Sequence, residues 1–143
     1  MTFTSRVELI ACALVLSLAV GVAMADVVPI VSATSAVTTL SKIQVADIFL
    51  GKVSRFPDGT QAIPIDQTEG SPARDEFYAG YAGKSPAQIK SHWAKIIFTG
   101  RGQPPKTMPT ASGIKKLIAA NPQAISYIER SAVDSSVRVL LQP

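Results

Sequence analysis

Ala62-Ile63-Pro64-Ile65-Asp66-Gln67-Thr68-Glu69-Gly70-Ser71-Pro72-Ala73-Arg74 is the stretch on which the fold turns. Its apolar start, Ala62 to Ile65, has the character of a strand end, and Asp66 to Arg74 then has that of a turn into a helix. Phe77, Tyr78 and Tyr81 follow at the three- and four-residue steps of an amphipathic helix. Ser71 is the expected N-cap. Pro72 falls at the first helical position, where its missing N–H costs nothing. A helix start leaves unpaired N–H groups and a partial positive charge, so a glycine-bearing turn that leads into one has the chemistry to hold a carboxylate, sulfate or phosphate.

Outward from this turn the chain alternates strands and helices. Asp26 to Val31 has the β-branched density of a buried strand and ends in the small polar loop Ser32-Ala33-Thr34-Ser35. Ser41 is expected to cap a helix with Ile43, Ala46, Phe49 and Leu50 inward, stopped by Gly51. Pro57-Asp58-Gly59 marks a turn. Ser85-Pro86-Ala87-Gln88 is a capping box, and Ile89, Trp93, Ile96 and Ile97 behind it have the spacing of a core-facing stripe. Phe98 to Lys106 is a glycine- and proline-rich connection without the Gly-Lys-Ser/Thr ending of a nucleotide-binding loop. A helix with Ile114, Leu117 and Ile118 inward is expected after Gly113, ending at Asn121-Pro122. Strands are expected at 124–128 and 137–141. The order β, α, β, α, α, α, β, β predicts a small α/β sandwich with a mixed sheet flanked by helices.

Arg6, the apolar run from Leu9 to Met24 and the small residues Ala23-Met24-Ala25 predict a secretory signal over residues 1–25, cleaved before Asp26. The rival reading is a membrane anchor, but the run falls short of the roughly 20 residues that span a bilayer. Cleavage would leave residues 26–143 as one domain without Cys12, the only cysteine, and so without disulfides. The net charge of +4 survives that cleavage, because one cation and one anion leave together. It suits an anionic small ligand or surface, and with no basic run it does not point to nucleic acid. One histidine, His92, and no cysteine argue against a zinc site and any other metal centre, and no cofactor is expected. Asp66 and Glu69 can be imagined as paired carboxylates for acid–base work, but acids beside a turn are usually solvated or capping backbone N–H groups. No catalytic residue is assigned, and an enzyme is not expected.

Leu40 with Ile48-Phe49-Leu50-Gly51-Lys52, then Pro64-Ile65-Asp66, Glu69-Gly70-Ser71 with Phe77, and Asn121-Pro122-Gln123-Ala124-Ile125-Ser126-Tyr127-Ile128, together resemble the phosphate-binding protein of bacterial phosphate ABC transporters. The chain is long enough for one of that family's two lobes. It is most similar to a short, single-lobe class in which segments like Ser71-Pro72-x-Arg74-x-x-Phe77 and Phe98-Thr99-Gly100-Arg101-Gly102-Gln103-Pro104-Pro105 recur. The resemblance implies one lobe of a type II periplasmic-binding-protein-like fold, a periplasmic location, and phosphate or a similar oxyanion as ligand. Residue by residue it implies Gly70, Ser71, Ala73 and Arg74 as ligand-binding positions, helped by Ser35 and Arg101. Gln67 stands where the family has an arginine, Pro72 where it has a glycine N–H, and Ala73 where it has a threonine hydroxyl. Two functions follow as expectations. One is a periplasmic oxyanion-binding protein accessory to a phosphate ABC transporter. The other is an exported interaction module that has lost its ligand and meets an envelope membrane protein or a second copy of itself.

Overall fold

A computed structural model describes residues 26–143, and the expected signal segment lies outside them. The chain forms β1 (Val27–Ser32), α1 (Lys42–Phe49), β2 (Ile63–Gln67), α2 (Pro72–Ala82), α3 (Pro86–Phe98), β3 (Lys106–Met108), α4 (Ala111–Ala120), β4 (Ala124–Glu129), a 3-10 turn (Arg130–Ala132) and β5 (Val137–Val139). The five strands make one sheet in the order β3-β2-β4-β1-β5. β4 runs parallel to β2 and antiparallel to β1, and β3 is parallel to β2, so the sheet is mixed as the order of elements predicts.

β1 is buried at all six positions and has neighbours on both sides, which explains its near-continuous apolar run. Its side chains divide between two cores, as strand alternation requires. Val31 joins Phe49, Phe77, Ile125 and Tyr127 on the face covered by α1, α2 and α3. Val28 and Ile30 join Ile65, Ile114, Ile118 and Ile128 on the face covered by α4. Phe77 stacks on Tyr127 with ring centroids 3.9 Å apart and meets Phe49 edge-on at 4.9 Å, so α1, α2 and β4 share one aromatic cluster.

Helix starts follow their chemistry. Ser41 and Ser85 each form a full capping box with the glutamine three residues on. Ser71 caps α2 with Pro72 in the first turn, and Gly83 ends it in the left-handed conformation. Gly51 is required twice over: its φ is +72°, and a Cβ there would lie 2.9 Å from the Trp93 ring, so its lack of a side chain is what lets α3 pack against the end of α1.

Four expectations need correction. Ile43 is 73% exposed, and Val45 and Ile48 take the place expected for it among the inward residues of α1. At 3.6 residues per turn Ile43 stands roughly 200° round the helix from Val45, outside the stripe. Ile97 is likewise half exposed, whereas Ile89 and Trp93 are buried. α4 starts at Ala111 under a Thr110 cap, which places Gly113 inside the helix beside Met108, where a Cβ would have only 3.0 Å. β3 is an additional strand, and its pairing of Asp66 with Thr107 and Gln67 with Met108 extends β2 two residues into the expected turn.

Candidate functional site

β2, α2 and β4 bring their polar residues together at one point. Because β3 keeps Asp66 in the sheet, its carboxylate is buried, 2% exposed, instead of lying solvated beside a turn. Asp66 Oδ1 accepts hydrogen bonds from the Tyr127 hydroxyl and from the Gln67 N–H at 2.8 Å. Asp66 Oδ2 accepts from the Tyr78 hydroxyl at 2.5 Å and faces Arg74 Nε at 3.8 Å. A buried carboxylate is costly unless paired and hydrogen-bonded, and here every side is occupied. Burial first, and the Asp66 charge second, push both phenols well above the ordinary tyrosine range, so both remain donors.

The α2 start is anchored to this network through Gln67. Its side-chain amide donates to Tyr127 O at 2.9 Å, and its Oε1 accepts from the Ser71 hydroxyl at 3.0 Å. The turn satisfies most of its own donors. Ser71 N–H reaches Thr68 O, Arg74 N–H reaches Ser71 Oγ at 3.4 Å, Asp75 N–H reaches Ser71 O, and Pro72 has no N–H. Ala73 N–H finds no acceptor among the described residues and is the first-turn amide left unpaired. The Ala73 methyl is buried in the core, so that position offers only its backbone. Gly70, with φ +88° and open space beside its Cα, shapes the turn.

Of the residues expected at the site, Gly70, Ser71, Ala73 and Arg74 sit together. Ser35 does not join them. It follows the C-terminal end of β1, which the antiparallel register sets beside the start of β2, at the end of the sheet away from Ser71. Its buried hydroxyl accepts from Val37 N–H, and the cation beside it is Arg138, which donates to the carbonyls of Ala33 and Ser35. Arg101 lines a separate recess with Lys52, His92 and Lys95. His92 Nε2 is 2.8 Å from Leu50 O and ties α3 to the end of α1.

A cavity of about 530 Å³ opens next to the Asp66 network, between α2, α3 and the β3 edge. Its β2–α2 side is polar, with Asp66, Thr68, Glu69, Arg74, Asp75 and Tyr78. Its other side is largely apolar, with Ile89, Trp93, Ala94 and Ile97 from α3 and Pro104-Pro105 from the connection before β3. Arg74 is 15% exposed and lies over the Tyr78 ring at 5.6 Å. The roles of Tyr78, Tyr127 and Trp93 are not visible in the turn itself. An acid directly after three strand residues, with tyrosines on the next helix and on a later buried strand, is the sequence signal for the first two.

No protein-family model matches the chain, and comparison with curated proteins gives no match. Solved structures do share its fold. A Clostridium perfringens protein assigned as a phosphate ABC transporter substrate-binding protein, solved with bound phosphate, is 22% identical with a TM-score of 0.64. That match covers 82% of this chain and 44% of the other. An ABC-type phosphate transport receptor from Vibrio cholerae is 18% identical with a TM-score of 0.65, covering 82% and 46%. PstS from Borrelia burgdorferi is 13% identical with a TM-score of 0.54, covering 82% and 47%. At these identities the likeness establishes the fold alone: an α/β domain with a mixed five-stranded sheet flanked by helices, the architecture shared with these binding-protein structures. The chain spans less than half the length of each of these structures.

Proposed function

We propose that residues 26–143 form a single phosphate-binding-like lobe, exported to the periplasm through the 1–25 signal, that holds phosphate or a similar oxyanion at the start of α2, beside a phosphate ABC transporter. The observation that carries this reading is the partly exposed Arg74 guanidinium in the first turn of an 11-residue helix whose Ala73 N–H has no acceptor among the described residues. The helix end supplies partial positive charge and the guanidinium a planar fork of donors, the two features an oxyanion needs. The shared fold with a phosphate-bound structure supports the assignment. Asp66 holds Arg74 from behind, and one lobe leaves the anion partly in water, so binding is expected to be weak, in the millimolar range. Calorimetric titration with phosphate should give a saturable isotherm in that range, weakened at least tenfold by Arg74→Gln. A featureless titration of the wild-type chain rules the proposal out.

A second reading has its own support. The Ser71 hydroxyl is already bonded to Gln67, Pro72 cannot donate, and Arg74 faces Asp66, as in a turn that has come to satisfy itself. On this reading the lobe is an exported interaction module that meets an envelope membrane protein or another copy of itself. Light scattering after size exclusion, with capture from an envelope extract, separates the two. A monomer that captures nothing and saturates with phosphate favours the first.

A further inference from the structure

The cavity beside Arg74 is built for more than an inorganic ion. A phosphate is the size of a few water molecules, each occupying about 30 Å³ of liquid, whereas about 530 Å³ lies within the range of pockets that enclose organic ligands. The wall opposite Arg74 is Ile89, Trp93, Ile97 and Pro104-Pro105, which an inorganic anion has no means of using. Trp93 is 6% exposed, and its Nε1 is the one buried side-chain polar atom among the described residues that has no hydrogen-bond partner. That nitrogen is itself shielded, so what Trp93 offers the cavity is apolar ring surface.

We infer that the site binds an amphipathic organic oxyanion, with its anionic head on Arg74 and its apolar body against Trp93, Ile97 and Pro105. This rests on the anion reading above and narrows its ligand class. Glu69 is exposed at the rim and Asp75 partly so, where water screens them, and the Asp66 oxygens are already covered by hydroxyls and an N–H. Arg74 and the exposed Lys90 are the cations of the lining, and Arg74 is the more buried and so the less screened of the two. The body displaces water from an apolar wall.

Trp93 is the only tryptophan in the chain, so its emission reports on the cavity directly. The experiment titrates the wild-type chain with phenyl phosphate, inorganic phosphate and phenol, following fluorescence and heat. Phenyl phosphate is expected to bind at least tenfold tighter than phosphate and to shift the Trp93 emission, with phenol far weaker than either. Trp93→Phe keeps a ring but shrinks the apolar wall, and calorimetry should show it losing at least threefold for phenyl phosphate with phosphate unchanged. Ile97→Ala trims a half-exposed wall residue outside the core, and should narrow the same preference if Trp93→Phe fails to fold. Equal affinity for the two phosphates overturns this inference and leaves the anion reading standing. Phenol binding as tightly as phenyl phosphate overturns it as well, because the head would then contribute nothing. If neither anion saturates, both readings fall.

Discussion

Tyr127→Phe removes one hydroxyl from the buried Asp66 and leaves the ring stacked on Phe77 at 3.9 Å, so packing is kept, and the loss is the bond to Asp66 with a long one, 3.4 Å, accepted from Gln67 N–H, which keeps Asp66 Oδ1 as its acceptor. Bonds to charged groups contribute about 1.5–3 kcal/mol, and Oδ1 would retain only the Gln67 N–H. The expected destabilisation is about 2 kcal/mol. With a urea slope of roughly 2 kcal/mol per M for a small domain, the midpoint should fall by about 1 M at unchanged slope. Trp93 fluorescence follows the transition. The charge on Asp66 is tested by repeating the change in an Asp66→Asn background, where the bond is between neutral groups and contributes only about 0.5–1.5 kcal/mol. The cycle should therefore show a coupling of about 1 kcal/mol. A loss below about 0.5 kcal/mol, within the range of ordinary surface changes, would refute the argument. So would an equal loss in both backgrounds, which would mean that the hydroxyl does not serve the carboxylate.

Gly51→Ala should cost about 2 kcal/mol or more in chemical denaturation, because the left-handed backbone and the approach to Trp93 at 2.9 Å add together. Gly59→Ala, at φ +88° with open space around it, should show the conformational part alone. Ser71→Ala removes the α2 cap and the link to Gln67, and is expected to lose about 1 kcal/mol. The phenols of Tyr78 and Tyr127 are raised in the fold, so an unfolded chain releases their protons first as pH climbs through about 10. Their contribution is complete below that pH and is lost above it, with a slope approaching about 2.7 kcal/mol per pH unit for the two. Tyrosinate absorbance should then rise in one cooperative step at alkaline unfolding, after any gradual signal from the half-buried Tyr81, whose phenol is also raised. A smooth independent titration of all three tyrosines would contradict this.

Local chemistry made most of the fold legible. Ser41, Ser71 and Ser85 mark their helix starts because a cap is a short-range hydrogen bond written in adjacent residues. The β1 run and the Ile114/Ile118 pair mark buried faces by composition and spacing. What escaped notice depends on partners distant in sequence. Lys106-Thr107-Met108 has no strand pattern of its own and is ordered by the free edge of β2, and its pairing moves Asp66 from an expected turn into the sheet. The Asp66 hydroxyl partners lie 12 and 61 residues away, so no local motif announces them. The grouping of Gly70, Ser71, Ala73 and Arg74 was readable because they are consecutive. The distance of Ser35 from them was not, since it follows from the direction of β1 in the sheet.

That direction of β1 also bears on when the domain can form. Val27 pairs with Glu129, and Ile30 with Val139, so the strand synthesised first among those described must wait for partners about a hundred residues later. Loop-closure entropy is spent before such distant contacts return any stability, and chains rich in them fold slowly. Until β4 and β5 have been made, β1 lacks both neighbours and the Phe77–Tyr127 stack lacks half its atoms. The nascent chain therefore has no early route to a finished sheet. Under the proposed export this delay is useful, because a chain that has not yet closed is one that can still be threaded.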